Sequence, residues 1–190
     1  QAEVLNQDTL LYILEGKVMD PHVRDIFLPR NYQNLLLISQ PGMGSCIHVV
    51  DGSMPVYSQN ERLIIQAAGP YSNVNRIQTA ATPPVPPGSI FGQEPAHAWC
   101  YYYQKANLAR QMGDWEQLGA LYDQVLAEGL TGSDPYEYFV FIEGLVNQGR
   151  EDKARVMANN AIRENEALRY SICSALSETP KEPDLPGYQR

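Results

Sequence analysis

The sequence predicts an α+β chain, a small mixed α/β first half followed by an α-helical array of repeated helix–turn–helix units. Three observations carry that reading. Short apolar, partly β-branched runs separated by turn formers occupy the first half. A proline-rich break interrupts the middle, and helical periodicity recurs at a spacing of 36 residues in the second half. The boundaries follow as a mixed region over 1–80, a connector over 81–95, helical repeats over 96–178 and a flexible tail over 179–190.

In chain order, residues Thr9 to Leu14 are nearly all apolar, follow a cap at Asp8 and stop at Gly16, which predicts a short helix. The runs NLLLIS (Asn34 to Ser39) and CIHVV (Cys46 to Val50) flank QPGMGS, so the pair reads as a hairpin or two neighbouring strands. RLIIQAA (Arg62 to Ala68) fits a strand and a short helix equally, and Val74 to Ile77 is a weaker strand. The connector ATPPVPPGSIFGQEP has five prolines and two glycines in 15 residues. Proline fixes φ and lacks the amide donor, so this stretch is expected to be neither helix nor central strand.

Beyond the connector, Tyr102, Ala106, Ala109 and Met112 form a stripe on a helix ending at Gly113. Asp114 and Gln117 make a capping box for the next helix. Its apolar face is Trp115, Leu118, Leu121, Tyr122, Val125 and Leu126. Asp134-Pro135 is a cap followed by proline where its missing donor costs nothing, and Tyr138, Ile142 and Leu145 then run to Gly149. Ala154, Met157, Ala158, Ala161 and Ile162 mark a fourth helix, and Leu168 to Leu176 a fifth.

Charge and composition exclude some functions. Fourteen Lys and Arg against 22 Asp and Glu give a net charge of -8, which argues against binding nucleic acid or an anionic membrane surface. The longest apolar run, Phe139 to Val146, is interrupted by Glu143 and falls far short of the roughly 20 residues of a membrane helix. The chain begins at Gln1 rather than Met, which suggests a processed or excised piece of a longer polypeptide. Cys46, Cys100 and Cys173 are far apart and odd in number. They permit at most one internal disulfide, and three small buried hydrophobes is the preferred reading.

Gly113 and Gly149 each sit at the turn of a helix pair, and LARQMGDWEQLGALYDQVL aligns with EGLVNQGREDKARVMANNAI. This pattern resembles tetratricopeptide repeats, with Ala106 at the small mid-helix position, Trp115 at the aromatic after the turn and Tyr122 one face later. The second copy departs from the pattern at Ile142 and Glu151, and both copies lack the closing proline. The stretch from Trp99 to Tyr102 (WCYY), the turn Gly113 to Trp115 (GDW), the run Phe141 to Gly144 (FIEG) and the strand SCIHVVD (Ser45 to Asp51) carry a narrower likeness. They resemble the C-terminal, tetratricopeptide-like region of multi-pass, glycosyltransferase-like membrane proteins of Chloroflexi-type bacteria. That resemblance implies a domain attached to a membrane-embedded part, lying outside the cytoplasm, with no catalytic residue of its own.

Candidate chemistry is sparse. Cys46, His48 and Asp51 lie within six residues and invite a nucleophile–base–orienter reading, but triad members usually converge from separate elements. A half-buried strand carrying a satisfied histidine is the better reading. His97 and Cys100 are two potential ligands without a second pair, so no metal is expected. PGMGS lacks the residues of a phosphate loop, so no cofactor is expected. The carboxylates Glu116, Asp123, Glu128, Glu151 and Asp152 suit helix exteriors and helix starts.

Twelve tyrosines against four phenylalanines point toward interfaces. By helical geometry Tyr103, Asn107 and Arg110 lie off the packing stripe, with Phe139, Glu143 and Val146 in the equivalent places. They are expected either to line a partner-binding groove or to pack onto the first half of the chain. The leading expectation is a non-enzymatic, extracytoplasmic interaction or accessory domain of a larger membrane protein. It would bind a protein segment, or its own membrane domain, through Tyr103, Asn107, Arg110, Phe139 and Glu143. The alternatives are a soluble hydrolase or transferase using Cys46 and His48, and a free-standing cytoplasmic adaptor.

Overall fold

A computed structural model of the chain describes residues 4–19, 22–23, 26–27, 29–53, 57–77, 87–94, 96–170 and 172–173. The fold is mixed α/β, with two compact units, Gln1–Gln104 and Lys105–Arg190. The division falls inside a helix rather than in the proline-rich stretch.

In the first unit, helix α1 (Gln7–Leu14) is capped by Asn6 rather than Asp8: the Asn6 side chain accepts from the Thr9 amide at 2.9 Å. It ends as expected at Gly16, whose φ of 59° lets the Gly16 and Lys17 amides turn back onto the Ile13 and Tyr12 carbonyls. Four short strands follow: β1 (Val18–Met19), β2 (His22–Val23), β3 (Ile26–Phe27) and β4 (Arg30–Asn31). β1 pairs with β4 and β2 with β3, both antiparallel. This pairing has no counterpart in the sequence reading, because two-residue strands carry too little alternation to register.

The expected hairpin is present in shortened form as β5 (Ile38–Ser39) and β6 (His48–Val49), with Ile38 opposite Val49 and Ser39 opposite His48. Helix α2 (Leu63–Ala68) resolves the ambiguity of that segment in favour of helix. Val74–Arg76 is a turn of 3-10 helix, where the sequence suggested a strand. Asn73 caps it by accepting from the Asn75 amide, a local side-chain bond that competes with extended backbone. Ile13, Tyr32, Leu37, Val50, Ile65 and Ala68 form the core of this unit. Gly88–Phe91 is helix α3, a correction to the connector reading: Pro87 precedes the first turn, where its ring and missing donor are tolerated. Residues 81–86 and 95 of the connector, and the tail 179–190, lie outside the described residues.

The helices of the second half are α4 (Trp99–Gln111), α5 (Trp115–Ala127), α6 (Phe139–Asn147) and α7 (Glu151–Glu164). A 3-10 turn over Pro135–Tyr138 leads into α6, with the Asp134 side chain accepting from the Tyr136 amide at 3.1 Å. Counted from Pro135, the second pair occupies the positions of the first shifted by 36 residues. Both turns are built alike. Gly113 and Gly149 take φ of 67° and 70°, and the amides of Asp114 and Arg150 reach back to the carbonyls of Ala109 and Leu145. As expected, Asp114 caps α5, accepting from the Gln117 amide at 2.9 Å.

In the second unit α6 packs on both α5 and α7. It is buried without interruption from Phe139 to Leu145, because its sequence is apolar around nearly the whole circumference. Where α5 and α6 meet, both helices carry glycine. A Cβ on Gly144 would collide with the Leu118 side chain, and one on Gly119 with the Gln148 amide. Leu118, Tyr122 and Val125 are buried as the stripe requires, but Leu126 and Met112 are exposed, since each lies at the rim of its face. Residues 168–170 and 172–173 are helical, and the rest of the expected fifth helix lies outside the described residues.

Candidate functional site

Of the residues expected to face a partner, the acidic and basic members meet each other. Arg110, in the last turn of α4, donates through Nε to Glu143 Oε2 on α6 at 2.6 Å. Their side chains are only 12% and 8% exposed. Two charges so far from water are tolerated because each supplies the other's counter-charge. Glu143 also holds the helix surface around it, since its carbonyl accepts from the Asn147 amide side chain.

Tyr103 and Phe139 are buried, and Asn107 is half-buried and engaged within the chain. The Tyr103 ring lies 5.2 Å from the ring of His48, tilted by 50°. At these positions the side chains make contacts within the chain. Tyr103 packs within the chain, which was the other reading of the tyrosines. Arg110 and Glu143 are consumed by a mutual ion pair. Phe139 begins the stretch of α6 that is buried through to Leu145.

The Cys46–His48 segment behaves as a half-buried strand: Cys46, His48 and Val50 are buried, while Ile47 and Val49 are exposed. Beside it, Ser39 donates through Oγ to the buried Glu61 carboxylate at 2.5 Å, and Ser39 stands opposite His48 across the strand pair. Glu61 accepts further from the Arg62 amide at 2.9 Å, so its charge is met by hydrogen bonds. A catalytic reading needs a free thiolate at Cys46. Cys46 is instead joined to Cys100, with a Cα–Cα distance of 5.2 Å. The bridge overturns the preferred reading of three separate buried thiols. It also removes the nucleophile from the Cys46–His48 alternative in the oxidised chain, and takes Cys100 from any ligand pair with His97. His97 bonds Glu94 at 2.8 Å and stacks on Tyr101 at 3.6 Å between centroids. Cys173 is exposed and free. The disulfide was not identifiable from spacing, because 54 residues separate its halves and nothing local pairs them.

The second polar cluster joins α5 to the start of α7. Arg150 Nη2 donates to Asp123 at 2.5 Å, and Lys153 reaches the same carboxylate at 3.4 Å. The Arg150 guanidinium lies 5.3 Å from the centre of the Tyr122 ring. The hydrogen bond from Arg150 holds the Asp123 carboxyl below its ordinary 3.8, against a smaller opposing effect of burial. Burial pushes the Tyr122 hydroxyl upward, with the Arg150 charge opposing. These groups close one helix turn onto the preceding helix and leave no acid–base pair with separated roles.

No family model matches the chain, and no curated protein or solved structure is significantly similar to it. Among the described residues no helix is long and apolar enough to cross a membrane.

Proposed function

We propose that this chain is an extracytoplasmic, non-enzymatic interaction domain of a larger membrane protein, docking a protein segment or its own membrane-embedded part. The observation that carries the reading is the Cys46–Cys100 disulfide, which ties the β6 segment to the first turn of α4. Such bonds persist in oxidising compartments and are rare where thiols are kept reduced. The two helix–turn–helix units at a 36-residue spacing are in keeping with a tetratricopeptide-like array, whose usual work is gripping extended segments. Because Tyr103, Arg110, Phe139 and Glu143 are engaged internally, the docking face runs over exposed positions of the second unit, such as Lys105 and Asn147.

The test uses the parent polypeptide in intact cells. A membrane-impermeant maleimide should label exposed Cys173 at once, and Cys46 and Cys100 only after reduction. Labelling of all three without reductant, or of none until lysis, would reject the oxidising location. A photoreactive residue at Lys105 or Asn147 should then yield a discrete cross-link to a polypeptide segment. Absence of any adduct from both positions would reject the docking role.

A further inference from the structure

The two halves of the Cys46–Cys100 bridge, both in the first unit, stand in opposite surroundings. Cys46, just ahead of β6, is only 2% exposed. Cys100 is exposed in the first turn of α4. A thiolate cleaves a disulfide by displacement, approaching the sulfur it attacks from the side opposite the bond, so access decides which sulfur is taken. Burial closes that approach at Cys46, while exposure leaves it open at Cys100.

Both ends are held by bonds that do not involve the bridge. Ahead of Cys46, the Ser45 amide donates to the Gly42 carbonyl and Gln40 Nε2 donates to the Ser45 carbonyl, both at 3.1 Å. Beyond it, the Val50 amide donates to the Leu37 carbonyl at 2.9 Å. On the other side, the Tyr101 amide donates to the Ala98 carbonyl at 3.0 Å. A Cys46 sulfur released by exchange therefore stays near Cys100 and is placed to attack in turn. We infer that Cys100 is a thiol–disulfide exchange site, a reversible covalent attachment point for a thiol. The entering thiolate bonds to Cys100 Sγ as the bond to Cys46 breaks, and the electron pair leaves on Cys46 Sγ, which takes a proton from water. In the return step the Cys46 thiolate displaces the guest thiolate from Cys100 and restores the bridge. Neither direction consumes an outside oxidant. The inference shares the disulfide with the proposed location but does not depend on the docking face.

The test uses the whole oxidised chain carrying Cys173→Ser, which removes the exposed free thiol. It receives a brief pulse of 2-mercaptoethanol or of a short cysteine-containing peptide. Acid stops exchange by protonating thiolates, and the free thiols are then blocked with N-ethylmaleimide in urea. Cleavage at Arg62 and Arg76 places the two cysteines in separate fragments for mass analysis. The guest should be found on Cys100 and the maleimide on Cys46. This product should exceed the reverse by about tenfold or more, because reaching Cys46 first requires local opening of its segment. In a chain unfolded by urea before the pulse the preference should vanish. Adducts with 2-mercaptoethanol alone would support a site for small thiols, and adducts with both guests would extend it to cysteinyl segments. Equal partition in the folded chain, preference for Cys46, a preference that persists in urea, or no adduct with either guest would overturn the inference. Free thiols at both positions before the pulse would overturn it together with the proposed location, whereas a wrong partition leaves the location standing.

Discussion

Reduction of the Cys46–Cys100 bond isolates the contribution of one covalent link without altering a single residue. The bond closes a loop with a sequence separation of 54 residues inside the first unit. On the chain-entropy account, restricting the unfolded chain by a loop of that size contributes about 4 kcal/mol at 25 °C. With urea slopes of about 1–3 kcal/mol/M, reduction should lower the unfolding midpoint of the unit by roughly 1.3–4 M. Trp99 is buried next to Cys100 and reports on this unit, so a Trp115→Phe background keeps the fluorescence signal local. Oxidised and reduced samples of that variant are compared in urea, with the Cys46→Ala/Cys100→Ala protein as a check that reductant acts only through this bond. A midpoint shift below about 0.5 M would refute the reasoning. It would mean either that the two segments are already held together in the unfolded chain or that the bond does not form. A full-sized shift makes the fold of the first unit dependent on an oxidising environment, which is what the proposed location requires.

Three further outcomes follow from the second unit. Replacing Arg110 by Met or Glu143 by Gln should each cost about 3 kcal/mol or more, because one buried charge is left without its partner. The double variant should recover part of that loss in a urea double-mutant cycle, and additive losses would show that the pair is not coupled. Gly144→Ala should destabilise by about 1–3 kcal/mol, since the added methyl meets fully buried Leu118. Wild-type stability in urea would refute the close helix approach. Asp123 has a depressed carboxyl pKa, so its contribution is present above its ordinary 3.8 and is lost as pH falls through the lower folded value. Asp123→Asn should therefore flatten the stability–pH slope of the unit below about pH 4 and leave its form above that unchanged. The effect is small, because the carboxylate is half exposed to solvent.

Helices were legible in the sequence wherever a stripe and a stop coincided. Gly16, Gly113 and Gly149 all end helices in the left-handed conformation that glycine adopts without penalty. Asp114 and Asp134 cap the elements they precede for an equally local reason. The nested strand pairs between Val18 and Asn31 left no such trace. They are set by which segments meet, not by an alternation a two-residue strand could display. The surroundings of the candidate site residues were not legible for the same physical reason. Position on a helical wheel assigns Arg110 and Glu143 to one face, but it does not say whether that face meets water or the next helix. That depended on α6 being apolar all round, which draws it into the interior together with the one acid it carries.

The turns at Gly113 and Gly149 share their backbone geometry but differ in the residue that follows the glycine. After Gly113 comes Asp114, which caps its own helix by accepting from the Gln117 amide. After Gly149 comes Arg150, and no side chain caps α7. The lost capping bond is worth about 1 kcal/mol. The arginine instead reaches backward to Asp123 and approaches the Gly119 carbonyl at 3.5 Å on α5. An acid at this position can only serve its own helix start, because it offers acceptors to free amides. A guanidinium offers donors, and these find the carboxylate and carbonyl of α5. Changing the charge at one equivalent position thus converts a local cap into a link between successive helix pairs. Gly144 against Leu118, and Gly119 against Gln148, mark the close approach of α5 to α6 and its end. The start of α7 is thereby held to α5 by contacts that a capping residue would not supply.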